Sequence, residues 1–371
     1  MSGQNHETEA FRQNIADVLG RECDSLTLHG FVDGKNDLAQ QLWEQVGELG
    51  WLALGLPEQY GGLDLGVAGL GMLHAELGSR LAPGPYIATL CAAQWLLAHA
   101  EENHKLDYLP LIAAGDLSVA VPATPTRRAG GLVMSDGELT GSEAFLLGDV
   151  SAGLAIAPFR GTDGSDAWAI IAVDGNSASL KKEAIWDVTR QICRLDCNGA
   201  PVAGVITELR QASTSLARHL GIALACDSIG GAETILDQTV VFLKERIQFD
   251  RPLASFQALK HRIVNHKAEL ETSRHLLAQA LDCAADDQPD ALMWSALAKA
   301  TASSSYASIA GDCLQLHGGV GYTWEFDCHL HLKRAQLNCA MGDSNEVNLD
   351  TAARELARSM RDGRSTLELP L

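Results

Sequence analysis

The chain has 371 residues, 46% of them hydrophobic, which is enough for a large core or for two or three domains. Its 28 basic and 47 acidic side chains give a formal net charge of −19, which argues against nucleic acid or an anionic membrane surface as a partner. Nine cysteines without metal-ligand spacing, no export signal and no long apolar run predict a cytoplasmic protein with reduced thiols, no metal site and no membrane span.

The first third of the chain is predicted to be helical, because apolar residues recur there at intervals of three and four. Glycine and proline residues end the predicted helices and begin the turns between them. The predicted helices lie at 11–26, 37–49, 67–81, 86–102 and 106–114.

The pattern changes in the middle of the chain, where short β-favouring segments are separated by Gly, Asp, Asn and Ser at intervals of roughly ten residues. This spacing predicts a small antiparallel barrel or sandwich. The predicted strands lie at 117–121, 131–135, 138–140, 143–147, 153–157, 167–173 and 180–186.

The last part of the chain is predicted to be helical again. Because helices and strands are segregated along the sequence, the pattern indicates an α+β chain rather than a doubly wound sheet. We therefore expect three domains, at 1–115, 116–208 and 209–371.

Two motifs, at 246–261 and 315–323, look like two edges of one site. The first begins with an arginine, the second is rich in glycine, and two predicted helices, 258–285 and 290–316, join them. Neither motif is a Walker loop or a glycine motif that follows a strand, so an ordinary nucleotide-binding fold is excluded.

Five segments, taken in order, resemble the acyl-CoA dehydrogenase family of flavoproteins, and the resemblance covers almost the whole chain. It implies an N-terminal helical domain, a middle antiparallel β-domain and a C-terminal four-helix bundle. It also implies FAD at a subunit interface, an acyl-CoA substrate and electron-transfer flavoprotein as electron acceptor. The segments are Leu49-Gly50-Trp51 with Leu56-Pro57-Glu58-Gln59-Tyr60-Gly61-Gly62, Arg246-x-x-Phe249, Phe256-Gln257-x-x-x-His261, Gln315-x-His317-Gly318-Gly319-x-Gly321-Tyr322-Thr323 and Arg334-Ala335.

The resemblance further implies which residues contact FAD. Arg246 would pair with the pyrophosphate, which arginine can bind through two hydrogen bonds, and Phe249 would pack near the adenine end. The second motif, residues 315–323, is called the glycine-rich corner. It would approach the pyrophosphate of the neighbouring subunit's flavin, because glycine lets backbone N–H groups come close. The alternative is that Arg246 ends a helix and that the glycines only make a turn. The implied cofactor-binding residues are Arg246, Phe249, Gln257, Gln315, Gly318, Gly319 and Ser344.

The family's reaction needs a carboxylate that removes a proton from Cα of the thioester while FAD takes a hydride from Cβ. The two positions at which relatives carry this glutamate correspond to Gly342 and Leu220, and neither residue can act as a base. Asp227 lies two turns past Leu220 on the same helix face, in an apolar run, so it is the candidate base. The alternative is that Asp227 is satisfied by a partner helix. Asp343 is better explained as part of the cap of the last helix.

The middle of the chain departs from the family in the two segments that relatives place against the flavin ring. Residues 121–128 lack the acidic, glycine-rich loop, residues 144–149 lack the indole and the amide, and Asp250 replaces a glycine near the expected phosphate. These losses, together with Asp187-Val188-Thr189-Arg190, resemble one subunit of the heteromeric acyl-CoA dehydrogenases that bacteria use on steroid side chains. We therefore expect a second acyl-CoA dehydrogenase-like subunit in an α2β2 assembly.

Two other functions are consistent with the sequence. The chain is then either a structural subunit that takes no part in the chemistry, or a flavoprotein of another reaction on the same fold, such as a monooxygenase or nitroalkane oxidase. Small residues along the helix after residue 216 are expected to leave room for a wide ligand such as a steroid CoA ester. These residues are Ala223, Ala225, Gly230, Gly231 and Ala232.

Overall fold

A computed structural model describes residues 2–127, 130–324 and 326–364, with side chains from residue 11 onward. The first part is helical, as predicted. The sequence pattern does not predict the second helix, because eight residues are too few to show a helical period; it begins at Asp24, whose side chain accepts a hydrogen bond from the Thr27 N–H at 2.8 Å. The helices of this part are α1 (Ser2–Glu22), α2 (Ser25–Val32), α3 (Leu38–Glu48), α4 (Gly66–Ser79), α5 (Tyr86–His99) and α6 (Glu102–Ala114).

The middle part forms one mixed sheet, in which seven strands lie within the described residues. They are β1 (Val119–Pro122), β2 (Leu132–Ser135), β3 (Glu138–Leu147), β4 (Leu154–Gly161), β5 (Asp166–Ala172), β6 (Ala178–Glu183) and β7 (Ile192–Ile206). The pairings β1–β4, β4–β5, β5–β7, β7–β3 and β3–β1 close a ring, which is the small barrel that the spacing predicts. Most pairs are antiparallel as expected, but β4 pairs in parallel with both β1 and β2.

Strand β7 is a strand that the sequence pattern does not predict. Its sequence contains Asn198-Gly199 and Pro201, which are typical of a turn. In the sheet, Leu139 and Thr140 of β3 pair with Ala200 and Asn198, so Gly199 is an extra residue, and its φ is +68°. A glycine bulge therefore absorbs the turn-like residues without ending the strand.

The last part is again helical, with a short hairpin between its first two helices. The turn residues of this hairpin, Phe249 and Asp250, both have positive φ. The elements are α7 (Leu209–Glu245), β8 (Ile247–Gln248), β9 (Arg251–Pro252), α8 (Gln257–Ala285), α9 (Ala291–His317), α10 (Cys328–Ala340) and α11 (Asn345–Arg361). The predicted α+β fold class is confirmed by this order of helices, sheet and helices.

One hydrophobic core crosses all three predicted domains. Leu109 of the first part, Val121 of the second and Leu220 of the third belong to the same buried cluster. The division at residues 115 and 208 therefore stays a prediction, since the parts share a core rather than each enclosing its own. Within the described part of the chain, none of the helices has the length and apolar character that a membrane span requires.

Glycines on α7 allow neighbouring helices to come close. A Cβ added to Gly230 would lie 2.0 Å from the carbonyl oxygen of Ala75 on α4, and one added to Gly231 would lie 2.4 Å from the hydroxyl of Tyr306 on α9. Such distances leave no space for even a methyl group. The prediction that these small residues make room for a wide ligand is therefore wrong, because the space is already filled by helix packing.

Candidate functional site

Gly342 and Leu220, the two positions that the resemblance assigns to the base, meet at one place in the structure. A Cβ added to Gly342 would lie 3.6 Å from the Leu220 Cβ and 2.7 Å from the Leu224 Cδ1. Gly342 lies between α10 and α11 and Leu220 lies on α7, so only the tertiary fold brings them together. Both residues are buried, and neither carries a carboxylate.

The turn that contains Gly342 is bonded to the loop that follows β1. The Gly342 N–H donates to the Ala123 carbonyl oxygen at 2.8 Å, and Thr126 of the same loop acts to lower the pKa of the Asp343 carboxyl group. Removing a proton next to a thioester requires hydrogen-bond donors directed at the thioester carbonyl. The Gly342 N–H does not serve as one, because Ala123 already accepts it. Arg128, the last residue of the predicted 121–128 segment, lies outside the described residues.

The surroundings of this turn are apolar core. Val121, Leu147, Leu220 and Met341 belong to one buried cluster. A cavity of about 30 Å³ borders the cluster between the N-terminal helices and the sheet, and another of about 10 Å³ lies between α4, α5 and α7. The larger has room for about one water molecule, so neither cavity accommodates an acyl chain.

Asp343 has a different role from the predicted cap. Ser344 alone caps α11, since its side chain accepts a hydrogen bond from the Val347 N–H at 3.3 Å. Burial raises the pKa of Asp343, while the hydrogen bonds from Thr126 and the charge of Lys299 act in the opposite direction. The Asp343 carboxylate is therefore a buried group close to Thr126 in the loop after β1. Ser344, which the resemblance places among the cofactor-binding residues, is exposed at the start of α11.

Lys299 fixes the same turn from the other side. It is completely buried, and its Nζ donates to the carbonyl oxygens of Cys339 and Asp343 at 3.0 and 2.7 Å and to Asn345 Oδ1 at 2.8 Å. Burial lowers the pKa of Lys299 to about 8. The sequence analysis did not single out this residue, although a lone lysine between Ala298 and Ala300 in a predicted helix can indicate a buried charge.

Asp227, the candidate base, lies in a buried network of charges. Its Oδ1 forms an ion pair with Arg190 Nη2 at 2.6 Å and accepts a hydrogen bond from Arg334 Nη1 at 3.1 Å, and its Oδ2 accepts one from Asn338 Nδ2 at 2.7 Å. Burial alone would raise the pKa of Asp227, but the charges of Arg190 and Arg334 and the Asn338 bond outweigh burial, so the pKa is lowered. A base that takes a proton from carbon needs the opposite shift. The geometry therefore favours the alternative interpretation, a carboxylate satisfied by neighbouring elements.

The same network joins the three parts of the chain through one guanidinium group. Arg334 on α10 donates to Asp187 Oδ2 at 2.9 Å and to Thr189 Oγ1 at 3.1 Å in the segment between β6 and β7. It also donates to the Leu81 carbonyl oxygen, just after α4, at 3.3 Å. The segment 187–190, which the sequence singles out by resemblance, is therefore an internal connection of the fold.

The two motifs at 246–261 and 315–323 are linked through Phe242, which lies on α7 just before the first motif. The Arg246 N–H donates to the Phe242 carbonyl oxygen at 2.9 Å, and the Phe242 ring stacks on His317 with centroids 4.3 Å apart. The Arg246 side chain is exposed, and it makes no hydrogen bond or ion pair with the described residues. The arginine is therefore available to a ligand or to another chain.

The remaining cofactor candidates also face outward. Phe249 is 84% exposed, with φ +55°, and the side chains of Gln257 and Gln315 are exposed. Gly318 has φ +64°, and no heavy atom lies within 4 Å of a Cβ added to Gly318 or Gly319. An unpaired guanidinium, an exposed aromatic ring and bare glycine backbone fit the phosphate and adenine half of FAD. In contrast, the two positions assigned to the base carry no carboxylate, and the Gly342 N–H is already engaged within the described structure.

Comparison with known proteins agrees with this architecture. Family models for the acyl-CoA dehydrogenase N-terminal domain and C-terminal domain match residues 5–116 and 210–357. The acyl-CoA dehydrogenase IpdE2 of Mycobacterium tuberculosis is 29% identical over 336 residues, which cover 89% of this chain and 91% of that protein. An acyl-CoA dehydrogenase of Bacillus subtilis is 25% identical over 344 residues, with 83% and 87% covered.

Solved structures of similar proteins share the fold. The Tcur3481-Tcur3483 steroid ACAD superposes with a TM-score of 0.86 at 23% identity, over 96% of this chain and 99% of that one. The ChsE4-ChsE5 complex from Mycobacterium tuberculosis superposes with a TM-score of 0.79 at 21% identity, over 98% of each chain. The two family-model matches flank a sheet of the expected kind and together cover more than half of the residues. The chain therefore belongs to the acyl-CoA dehydrogenase family of FAD-dependent flavoproteins.

Proposed function

We propose that this chain is one subunit of a heteromeric acyl-CoA dehydrogenase, in which it contributes to a flavin site but does not supply the catalytic base. The second subunit is an acyl-CoA dehydrogenase-like chain that carries the glutamate, and the assembly is α2β2. One observation supports this proposal above the others. Gly342 packs on Leu220 without a carboxylate, and its N–H is bonded to Ala123.

The two carboxylates nearest in sequence to the base positions are already committed to other partners. Asp227 is held by two arginines and an amide, and its pKa is lowered. Asp343 is buried, and the nearby Thr126 and the charge of Lys299 act to lower its pKa against the effect of burial. Because proton removal from Cα requires an available carboxylate, the base comes from the second subunit.

The exposed residues of the two motifs, at 246–261 and 315–323, are the part of this chain that binds the cofactor. When bound, FAD accepts the hydride from Cβ of the thioester. Arg246 pairs with a flavin phosphate, Phe249 packs on the adenine end, and the backbone at Gly318 and Gly319 donates to the pyrophosphate of a shared flavin. These residues bind and orient, and the chemistry takes place next to the partner's glutamate.

The substrate is an acyl-CoA, and a steroid side-chain thioester is the proposed class. A steroid ACAD is among the solved structures with this fold. Electron-transfer flavoprotein would be the electron acceptor of the bound flavin, and the cytoplasm is the proposed location.

A structural subunit without any flavin contact is the second candidate, and the tightly packed core around Gly342 favours it. Arg246→Ala in the assembled complex separates the two functions. Loss of bound flavin supports the shared site, whereas unchanged flavin content and turnover support the structural role. Arg251→Ala is the matched control, because Arg251 is a nearby exposed arginine whose guanidinium already lies over the Phe256 ring, 3.9 Å from its centroid.

The proposal is tested by expressing the chain alone and together with a second acyl-CoA dehydrogenase-like chain. We expect the lone chain to be purified without flavin and to leave an electron-accepting dye unreduced when a steroid acyl-CoA is added. We expect the complex to be yellow and to reduce the dye. A lone chain that binds flavin and reduces the dye at a comparable rate disproves the heteromeric function.

A further inference from the structure

The glycine-rich corner is held on its inner side by aromatic packing. The His317 ring packs on Phe242, at a centroid distance of 4.3 Å, and on Phe326, at 5.1 Å. His317 Nδ1 also lies 2.8 Å from the Cys313 carbonyl oxygen, within its own helix. These contacts fix the end of α9, but they leave the residues that follow Gly319 to be held by other elements.

The segment that follows the glycine-rich corner is bound to α2, a helix of the N-terminal part. Asp327 Oδ1 accepts a hydrogen bond from Ser25 Oγ at 2.8 Å and lies 2.7 Å from His29 Nε2. Asp327 stands at the N-cap position of α10, yet its side chain makes no capping hydrogen bond there. The carboxylate that would ordinarily satisfy the start of α10 is therefore used to bind α2.

Trp324 completes this contact. Its ring meets His29 at a centroid distance of 5.5 Å and His329 at 4.8 Å, both nearly edge to face. The His29 side chain is only 12% exposed, so its pairing with Asp327 is shielded from water. A charge-assisted hydrogen bond is stronger in such surroundings than at the surface.

We infer that His29 is a positioning residue for the glycine-rich corner. By binding Asp327 and packing on Trp324, His29 sets where Gly318 and Gly319 lie relative to Arg246. The inference rests on the proposed function, because the corner's ligand is the flavin pyrophosphate of that proposal. His29 acts through the loop and does not itself contact the flavin.

The test measures FAD affinity in the co-expressed complex by titrating FAD into flavin-depleted protein. We expect His29→Ala to raise the Kd for FAD about tenfold, since a displaced donor loses its bond to phosphate. His29→Gln keeps an N–H donor toward Asp327 and is expected to recover most of the affinity. Leu26→Ala is the matched control, because Leu26 lies on the same helix, is 83% exposed and is expected to leave the Kd unchanged.

The outcomes are separated by measuring the Tm of each variant and by including Arg246→Ala. An unchanged Kd in His29→Ala overturns the positioning role. An equal loss of affinity in His29→Ala and His29→Gln, accompanied by a lower Tm in both, also overturns it, because the role is then merely structural. If Arg246→Ala weakens FAD binding and His29→Ala does not, this inference fails and the proposed function stands. If neither variant changes the Kd, the proposed function fails as well.

Discussion

The backbone N–H of Gly342 donates to the carbonyl oxygen of Ala123 across 2.8 Å, at the place where the family's base would be expected. The bond joins the turn before α11 to the loop after β1, and Leu220 packs against the same turn. At this position the chain therefore lacks a carboxylate, and the backbone N–H and the space beside it are also occupied by the chain's own residues.

Gly342→Glu is expected to fail as a way to make the lone chain active. Residue 342 has φ +60°, a conformation in which a side chain costs about 1–2 kcal/mol, and its Cβ would press on Leu224. We expect a lower Tm and no dye reduction by the purified chain. Gly342→Ala measures the backbone and packing cost alone, so the difference between the two variants reports the buried carboxylate. Thioester-dependent dye reduction by the lone Gly342→Glu chain would show that the site is intact apart from its base.

Asp227→Asn is expected to lower the free energy of unfolding by about 3–5 kcal/mol, because it leaves Arg190 and Arg334 buried beside an uncharged partner. Urea unfolding of the purified chain measures the loss. If Asp227 were instead the base, the variant complex would lose turnover while its stability stayed close to that of the wild type. The double variant Asp227→Asn with Arg190→Met should recover part of the lost stability, because Asp227 is the ion-pair partner of Arg190 among the described residues, whereas Arg334 keeps its pair with Asp187.

The pH dependence of stability gives an independent check on Asp227. Its pKa is lower in the folded chain than in the unfolded chain, because the arginine charges and the Asn338 hydrogen bond outweigh burial. The stability that Asp227 contributes is therefore fully present above its unfolded pKa and is lost as the pH falls through the folded value. We expect the acidic side of the stability curve to be flatter in Asp227→Asn than in the wild type.

Lys299→Met is expected to loosen the turn around Gly342. The variant leaves the carbonyl oxygens of Cys339 and Asp343 without their buried donor, at a cost of about 1–3 kcal/mol for each unsatisfied group. Because burial lowers the folded pKa of Lys299 to about 8, the unfolded chain binds more protons above that pH. The stability contributed by Lys299 should therefore rise as the pH increases above about 8, and it should be lost as the pH falls through that value. Urea unfolding of wild type and Lys299→Met on both sides of pH 8 measures this difference, and a constant difference between the two curves contradicts the prediction.

The sequence predicts the fold class because periodic apolar residues mark the long helices and regular turns mark the strands. It also indicates that Gly342 and Leu220 lack a carboxylate, because that depends only on the residues present. The hydrogen-bond acceptor of the Gly342 N–H cannot be predicted in this way, since Ala123 is brought near it only by the tertiary fold. For the same reason Asp227 looks like a candidate base in the sequence, whereas Arg190 and Arg334, its partners, come from distant elements.

Gly230→Ala provides the last prediction, which concerns the packing that closed the space expected for a wide ligand. An alanine Cβ at residue 230 would lie 2.0 Å from the Ala75 carbonyl oxygen, so α4 and α7 must move apart. Gly311→Ala is a matched change in another helix, since the nearest heavy atom, Leu332 Cδ1, lies 4.0 Å from the added Cβ. We expect Gly311→Ala to be neutral or to stabilise the chain by up to about 1 kcal/mol, through helix propensity alone. Gly230→Ala should lower the free energy of unfolding by about 1–3 kcal/mol, as overpacking does. Equal stabilities of the two variants in urea unfolding would mean that α4 and α7 are not in close contact, and that the space for a wide acyl group has to be considered again.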